Sequence, residues 1–276
     1  MVPALKMNDG KSIPQLGFGV FQVPAEDTER IVAEAFSVGY RHIDTAWGYF
    51  NEEGVGAAIK NSGLARDDIF VTTKVWNSFQ GRKTTIESFE KSLETLGLDE
   101  LDLLLIHWPA PGLGKFVETW ETFVELQQSG RLRSIGVSNF QPDHIRQIVE
   151  ATGVLPALNQ VELHPFFQQK QLRAFHELHG ILTEAWSPIA RGRVDDDPII
   201  VSLANVYGRT PAQITLRWLV QLGIVVIPKS VTPSRIESNF QIFDFALSED
   251  DMETMNSLDR ADGRMGPNPD EFNLAG

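Results

Sequence analysis

The chain is 276 residues long, 42% hydrophobic and 22% charged, an ordinary composition for a folded globular protein with enough chain to bury a large core. It has no cysteine, which excludes disulfides, thiolate metal sites and cysteine nucleophiles and fits a reducing cytoplasm. Its formal net charge of -13 argues against a nucleic-acid partner, because such a surface repels phosphate chains.

The opening segment, Met1-Val2-Pro3-Ala4-Leu5-Lys6-Met7, lacks the charged-then-apolar form of a signal peptide. No uninterrupted apolar stretch is long enough to cross a bilayer, so a cytoplasmic protein with no membrane partner is expected. A hairpin comes first: Leu5-Lys6-Met7 and Ser12-Ile13-Pro14 flank Asn8-Asp9-Gly10, a turn that tolerates positive φ. Short apolar strands then follow at 16–21, 41–44, 69–74, 101–107, 134–138, 157–162, 181–186 and 224–228. Helical patterns lie between them near 26–38, 51–61, 83–97, 115–129, 141–151, 168–178 and 211–221. Two more, near 233–240 and 248–257, come after the last strand. Thr210-Pro211 starts its helix with a capping Thr and Pro in the first helical position. Ser248-Glu249-Asp250-Asp251 has the form of a capping box. Residues 191–198 read as a polar loop, and 261–276, with several Gly and Pro, as an irregular tail draped over the mouth.

Eight strands interleaved with helices predict a parallel sheet closed as an α/β (β/α)8 TIM barrel, one domain over residues 1–276; a doubly wound open sheet is the competing architecture. In such a barrel the C-terminal ends of the strands share one mouth, where the chemistry sits. Three consecutive strands here run into titratable groups: Asp44 with Tyr49 shortly after it, Lys74, and His107. A phenol donates a proton poorly at neutral pH unless its pKa is lowered. An ammonium at Lys74 would lower it, Asp44 would keep that ammonium charged, and His107 would orient a substrate oxygen. Tyr40 and Tyr207 fall on a strand approach and a helix face, where a structural role is expected.

The second half supplies amides, hydroxyls and a flat ring at its strand ends: Ser138-Asn139, Gln160 and Trp186-Ser187-Pro188. These suit the carboxamide and ring of a nicotinamide. Lys229, Ser230, Arg235 and Asn239 follow the last strand and enter a helix, a suitable place for a phosphate. Read alone, Gln160 is equally a polar group of the barrel interior, and the two cations an ordinary basic patch. Trp47, Trp76, Trp108 and Trp186 follow strands, and with Phe21 and Phe50 they are expected to wall the mouth with aromatic surface. Gly17-Phe18-Gly19 lacks the third glycine of a dinucleotide loop. His164 and the pair His176 and His179 have no obvious third ligand, so no metal is expected. Glu162 and Glu184 are the one carboxylate pair tempting for glycoside hydrolysis.

Taken together, Asp44-Thr45-Ala46-Trp47-Gly48-Tyr49-Phe50-Asn51-Glu52, Thr73-Lys74, Ile106-His107-Trp108-Pro109, Gly136-Val137-Ser138-Asn139-Phe140, Asn159-Gln160-x-Glu162-x-His164-Pro165 and Ile227-Pro228-Lys229-Ser230 resemble the aldo-keto reductase superfamily over nearly the whole chain. Ala185-Trp186-Ser187-Pro188 and the compact loops look most like the bacterial 2,5-diketo-D-gluconate reductases. The resemblance implies a monomer that reduces small carbonyl compounds with NADPH and without a Rossmann domain. It implies Asp44, Tyr49, Lys74 and His107 as catalytic residues, with Tyr49 the proton donor. It places Ser138, Asn139 and Gln160 on the carboxamide, Trp186 against the nicotinamide, and Ser187, Pro188 and Ile189 along the cofactor. Lys229, Ser230 and Arg235 would hold the 2′-phosphate, with Asn239 near adenine. Phe21, Trp47, Trp76 and Trp108 would shape the substrate pocket. The family usually has Glu just before that Asn, and here it is Ser238. Implied substrates are 2,5-diketo-D-gluconate or related dicarbonyls; broad aldehyde or methylglyoxal reduction, and a slow redox-sensing NADPH-binding protein, are the alternatives.

Overall fold

The computed structural model describes residues 2–275; Met1 of the opening segment and Gly276 of the tail lie outside the described residues. The first element is the antiparallel hairpin of β1 (Ala4–Lys6) and β2 (Ser12–Pro14), with Leu5 opposite Ile13. Its buried Ile13 and the neighbouring Met7 pack on Leu103, Leu105, Leu158 and Val225. The hairpin therefore plugs one end of the barrel interior.

Eight parallel strands follow: β3 (Phe18–Gly19), β4 (His42–Asp44), β5 (Phe70–Val75), β6 (Leu101–Ile106), β7 (Leu132–Ser138), β8 (Leu158–Glu162), β9 (Leu182–Trp186) and β10 (Val225–Val226). They pair in sequence order from β3 to β10. The ring closes where Leu16 bridges Val226, Gly17 N–H donates to Val226 C=O at 2.8 Å, and Gly19 N–H donates to Pro228 C=O at 3.2 Å. A Cβ on Gly17 would stand 2.5 Å from His42 Nδ1 and 2.9 Å from Ile227 Cγ2. Glycine is needed here for close packing inside the barrel, which accounts for the Gly17-Phe18-Gly19 run without any phosphate loop.

The helices α1 (Ala25–Val38), α2 (Glu52–Asn61), α3 (Arg82–Leu96), α4 (Phe116–Gln128), α5 (Pro142–Thr152) and α6 (Lys170–His179) alternate with the strands. Their buried faces cover the ring with Phe89, Trp120, Phe123 and Ile148. After β9 the expected polar loop is instead a short helical segment, Ala190–Asp196, and an unforeseen helix, α7 (Pro198–Tyr207). Asp197 caps α7 by accepting from Ile199 and Ile200 N–H, and Pro198 takes its first position. Exposed Ile199 and Val206 blur the apolar stripe that would have revealed it. α8 (Pro211–Gln221) starts with Thr210 in a reciprocal capping box with Gln213. α9 (Pro233–Phe240) follows β10, and α10 (Glu249–Asn256) is capped by Ser248. Among the described residues no helix is long and apolar enough to cross a membrane.

Candidate active site

Strand alternation aims the first group of residues. Successive side chains in a strand face opposite sides, so Ile43, Val71 and Leu104 join the outer core while Asp44, Lys74 and His107 face the interior. Pairing sets their level: Asp44 is opposite Thr72, and Lys74 opposite Leu105. Tyr49 comes from a single 3-10 turn, Trp47–Tyr49, which ends at Phe50 in the left-handed region (φ 57°). Asn51 fixes that turn. Its amide donates to the carbonyls of Val20 (2.9 Å) and Val23 (3.2 Å), and its oxygen accepts from Thr45 Oγ1 (3.0 Å).

Lys74 is the hub. Its Nζ donates to Asp44 Oδ1 at 2.7 Å, to the Thr45 carbonyl at 2.8 Å and to Tyr49 Oη at 3.4 Å. Burial alone would lower the Lys74 pKa, but Asp44 and Tyr49 outweigh it and the ammonium is held above its ordinary value. Burial raises the Tyr49 phenol, with Lys74 opposing. Burial wins, so the expectation that Lys74 brings this pKa down is corrected. The ring is half open to the mouth, where water moderates the effect, and the phenol stays protonated at neutral pH. Burial and the nearby Lys74 push His107 well below its ordinary value. It is therefore a neutral imidazole, edge-on to Tyr49 and Trp76 at ring separations of 5.6 and 5.0 Å.

The second group forms a connected polar edge. Ser138 Oγ donates to the Gln160 carbonyl at 2.9 Å. The Asn139 amide donates to the His107 carbonyl and to Ser138 Oγ, both at 3.0 Å, and Asn139 Oδ1 accepts from Trp186 Nε1 at 2.8 Å. Asn139 therefore fixes the Trp186 ring. Gln160 Nε2 donates to Asp44 Oδ2 at 2.7 Å. Asn139 (φ 63°) and Ser187 (φ 49°) hold left-handed conformations just after β7 and in the turn after β9, strain of the kind that collects at functional sites.

One cavity of about 790 Å³ joins these groups. Its wall includes Phe21, Asp44, Tyr49, Trp76, His107 and Trp108 at one end, then Ser138, Asn139, Gln160, Trp186, Ser187, Pro188 and Ile189. Lys229, Ser230, Arg235, Ser238 and Asn239 lie at the other. Among the described residues neither Lys229 nor Arg235 has a carboxylate within ion-pair distance. Lys74 lies beneath the wall, bonded to Asp44 and Tyr49, which line the cavity. Trp47 does not line it; that ring packs on Phe50 and Phe79 at 5.4 and 4.5 Å.

The Aldo/keto reductase family profile matches residues 15–260. The chain belongs to the aldo/keto reductase family. Methylglyoxal reductase DkgA of Escherichia coli strain K12 is 48% identical to it over 270 residues, 97% of each protein. The crystal structure of a Gox0644 variant in complex with NADPH matches with a TM-score of 0.96 at 47% identity, over 99% of both chains. Another crystal structure, provisionally described as 2,5-diketo-D-gluconic acid reductase B, matches with a TM-score of 0.93 at 37% identity, over 97% of this chain and 95% of its own.

In this reductase the C-terminal tail, expected over the mouth, forms part of the cavity wall through Pro267 and Phe272. Phe272 lines the cavity and packs against Trp108, the rings tilted by 50° with centroids 4.6 Å apart. Asn77 Nδ2 donates to the Leu274 carbonyl at 2.8 Å. Glu162, at the end of β8, accepts from Met265 and Gly266 N–H at 2.6 and 2.8 Å and from His164 Nε2 at 3.1 Å. A Cβ on Gly266 would stand 2.6 Å from the Trp186 ring, so glycine lets the tail cross there. Glu162 is thus occupied by the tail and Glu184 by Gln160 (2.7 Å), which removes them as a carboxylate pair flanking a sugar. His176 is bonded to Asn159 and Thr183. Among the described residues no three His, Cys, Asp or Glu side chains converge as metal ligands. Arg191, Gly192, Asp195 and the start of α8, Thr210 to Ala212, also line the cavity; no residue-type signal in the sequence marked Gly192, Asp195 or Ala212.

Proposed function

We propose that residues 1–276 act as one aldo-keto reductase domain that reduces small neutral aldehydes and dicarbonyls of the methylglyoxal kind, using NADPH, with Tyr49 as the proton donor. The observation that carries this reading is the Tyr49 hydroxyl, 3.4 Å from Lys74 Nζ, on the aromatic wall of a cavity that extends to the cations Lys229 and Arg235.

The cavity suits NADPH along its length. Lys229, Ser230 and Arg235 would hold the 2′-phosphate at the start of α9, where backbone N–H groups favour an anion. Asn239 would face adenine. Ser187, Pro188 and Ile189 would lie along the chain of the cofactor. Trp186, locked by Asn139, would offer its face to the nicotinamide, and Ser138, Asn139 and Gln160 their polar atoms to its carboxamide. NADPH supplies, when bound, the hydride for the carbonyl carbon. The protein supplies everything around that event. Tyr49 hydrogen-bonds the carbonyl oxygen and gives up its proton as negative charge develops there. Lys74 stabilises the phenolate left behind, and Asp44 keeps Lys74 charged. His107, neutral, orients the same oxygen. Trp76, Trp108 and Phe272 exclude water from the reacting atoms.

Phe21, Trp76, Trp108 and Phe272 carry no charge, which favours uncharged substrates. A sugar acid such as 2,5-diketo-D-gluconate is the second reading. Arg191, on the cavity wall with no carboxylate partner among the described residues, is the cation it would use. A monomer in a reducing cytoplasm is the setting proposed, the reducing compartment being supported by the lack of cysteine. The test follows absorbance loss of NADPH, with NADH in parallel, over methylglyoxal, 2,5-diketo-D-gluconate, an aryl aldehyde and a sugar. NADPH-preferring turnover led by the neutral carbonyls supports the reading. A lead for the sugar acid transfers weight to Arg191. Bound NADPH with no turnover on any carbonyl overturns it in favour of a redox-sensing protein.

A further inference from the structure

Below the mouth, the barrel interior holds one more acid than the proposed chemistry uses. Glu184, on β9, is fully buried and shares a single amide with Asp44. Gln160 Nε2 donates to Asp44 Oδ2 and to Glu184 Oε2, each at 2.7 Å. The other Asp44 oxygen meets the Lys74 ammonium at 2.7 Å. Among the described residues Glu184 has no such cation, and its Oε1 has no hydrogen-bond partner; that oxygen lies 3.8 Å from His42 Nε2. His42 does not neutralise it, because burial holds that imidazole down to about 3. An ionised carboxylate buried in the barrel interior, with one oxygen that no protein group satisfies, is strongly unfavourable, and a bound proton relieves the penalty.

We propose that Glu184 is a protonated positioning acid, coupled through the Gln160 amide to the Asp44–Lys74 pair, whose charge state governs how firmly Tyr49 holds its proton. The inference rests on the reductase reading above for its link to Tyr49. The titratable groups facing Glu184 are His42 and Asp44 on β4, Lys74 on β5 and Tyr49 above them; β10 places the apolar Val225 beside it. While Glu184 is neutral, Tyr49 feels the Lys74 ammonium against one buried carboxylate. Once Glu184 ionises, a second negative charge opposes formation of the phenolate. Burial, assisted by Asp44, raises the Glu184 carboxyl to about 8. Rising pH therefore charges Glu184 and makes Tyr49 hold its proton to still higher pH. Glu184→Gln keeps the shape and stays neutral, so its Tyr49 deprotonates earlier.

Two measurements on the full chain test this. Infrared spectra at neutral pH should show the C=O stretch of a buried protonated carboxylic acid, which disappears in Glu184→Gln. In NADPH-dependent reduction the alkaline limb of kcat/KM should move down by about one pH unit in Glu184→Gln, a roughly tenfold loss at a pH on that limb. Glu184→Asp, which keeps a titrating group, should restore it. An infrared band that is absent from the unaltered protein or survives in Glu184→Gln overturns the proposal, and so do superimposed alkaline limbs, including a uniform loss of kcat at every pH. If Glu184→Gln does not fold, the band of the unaltered protein decides: its loss between neutral pH and about pH 10 supports the proposal, and its persistence overturns it. If the unaltered protein reduces no carbonyl, the reductase reading fails while the infrared band still reports on the Glu184 proton.

Discussion

Replacing Glu162 with Gln tests how the tail is fastened over the mouth. The buried carboxylate accepts from Met265 and Gly266 N–H at 2.6 and 2.8 Å. Gln has only one carbonyl oxygen, and its NH₂ would face a backbone N–H. One bond is lost and the other becomes neutral. Hydrogen bonds to charged groups contribute about 1.5–3 kcal/mol each, and neutral ones about 1 kcal/mol. Exchanging two of the first kind for one of the second weakens the anchor by roughly 2–5 kcal/mol. The loss is local, because Asn77–Leu274 and Phe272–Trp108 still hold the far end. Open forms of the tail should then rise at least on the order of 30-fold. Amide hydrogen exchange at Met265 and Gly266 reads this directly, and the carbonyl KM should rise while the NADPH Kd stays put. Unchanged protection at both amides would refute the reasoning. Burial raises the Glu162 carboxyl, but bonds from His164, Met265 and Gly266 outweigh it and hold it below its usual value. A depressed folded pKa stabilises above the unfolded value of about 4.3 and loses that stabilisation as pH falls through the folded one. The tail should therefore remain protected at pH values where ordinary glutamates have begun to protonate.

Two further predictions concern the cavity's far end and the barrel's base. Lys229→Ala and Arg235→Ala should each raise the KM for NADPH roughly 10- to 100-fold, from the loss of a charged hydrogen bond, and leave the KM for NADH nearly unchanged; equal effects on both cofactors would contradict the 2′-phosphate assignment. Asp102, at the start of β6, is buried and accepts from Val71 N–H (2.9 Å), Arg66 (2.6 Å) and Arg133 (3.2 Å). Asp102→Ala should cost about 3 kcal/mol of stability in denaturant unfolding and leave kcat and KM unaltered; a changed KM would show that this network reaches the mouth.

The barrel was legible because its strands are apolar runs bounded by turn residues, and β5 and β6 lead into Lys74 and His107 where the runs end. Most helices show a clear apolar stripe. α7 does not, since Ile199 and Val206 stay exposed, and the cap and first-turn proline of Asp197-Pro198 are passed over when 191–198 is read as a polar loop. The grouping of Asp44, Tyr49 and Lys74 follows from strand order and alternation. The direction of the Tyr49 shift does not, because residue types reveal the opposing charges but not the depth of burial. Long-range packing is equally hidden. Nothing in 261–276 signals that Phe272 meets Trp108, that Trp47 turns away to Phe79, or that Glu162 holds two tail amides. Glu184 looked like half of a carboxylate pair until Gln160 was seen to join it to Asp44.

The most direct test of the central claim is Tyr49→Phe, measured as NADPH-dependent reduction of methylglyoxal alongside NADPH binding. Removing the hydroxyl keeps the ring against Phe21, 5.0 Å away, and deletes only the proton donor. The account predicts a fall in kcat of about 10²- to 10⁴-fold, the usual contribution of a positioned acid, with the NADPH Kd unchanged. A Tyr49→Phe protein that turns over as fast as the unaltered one would contradict it.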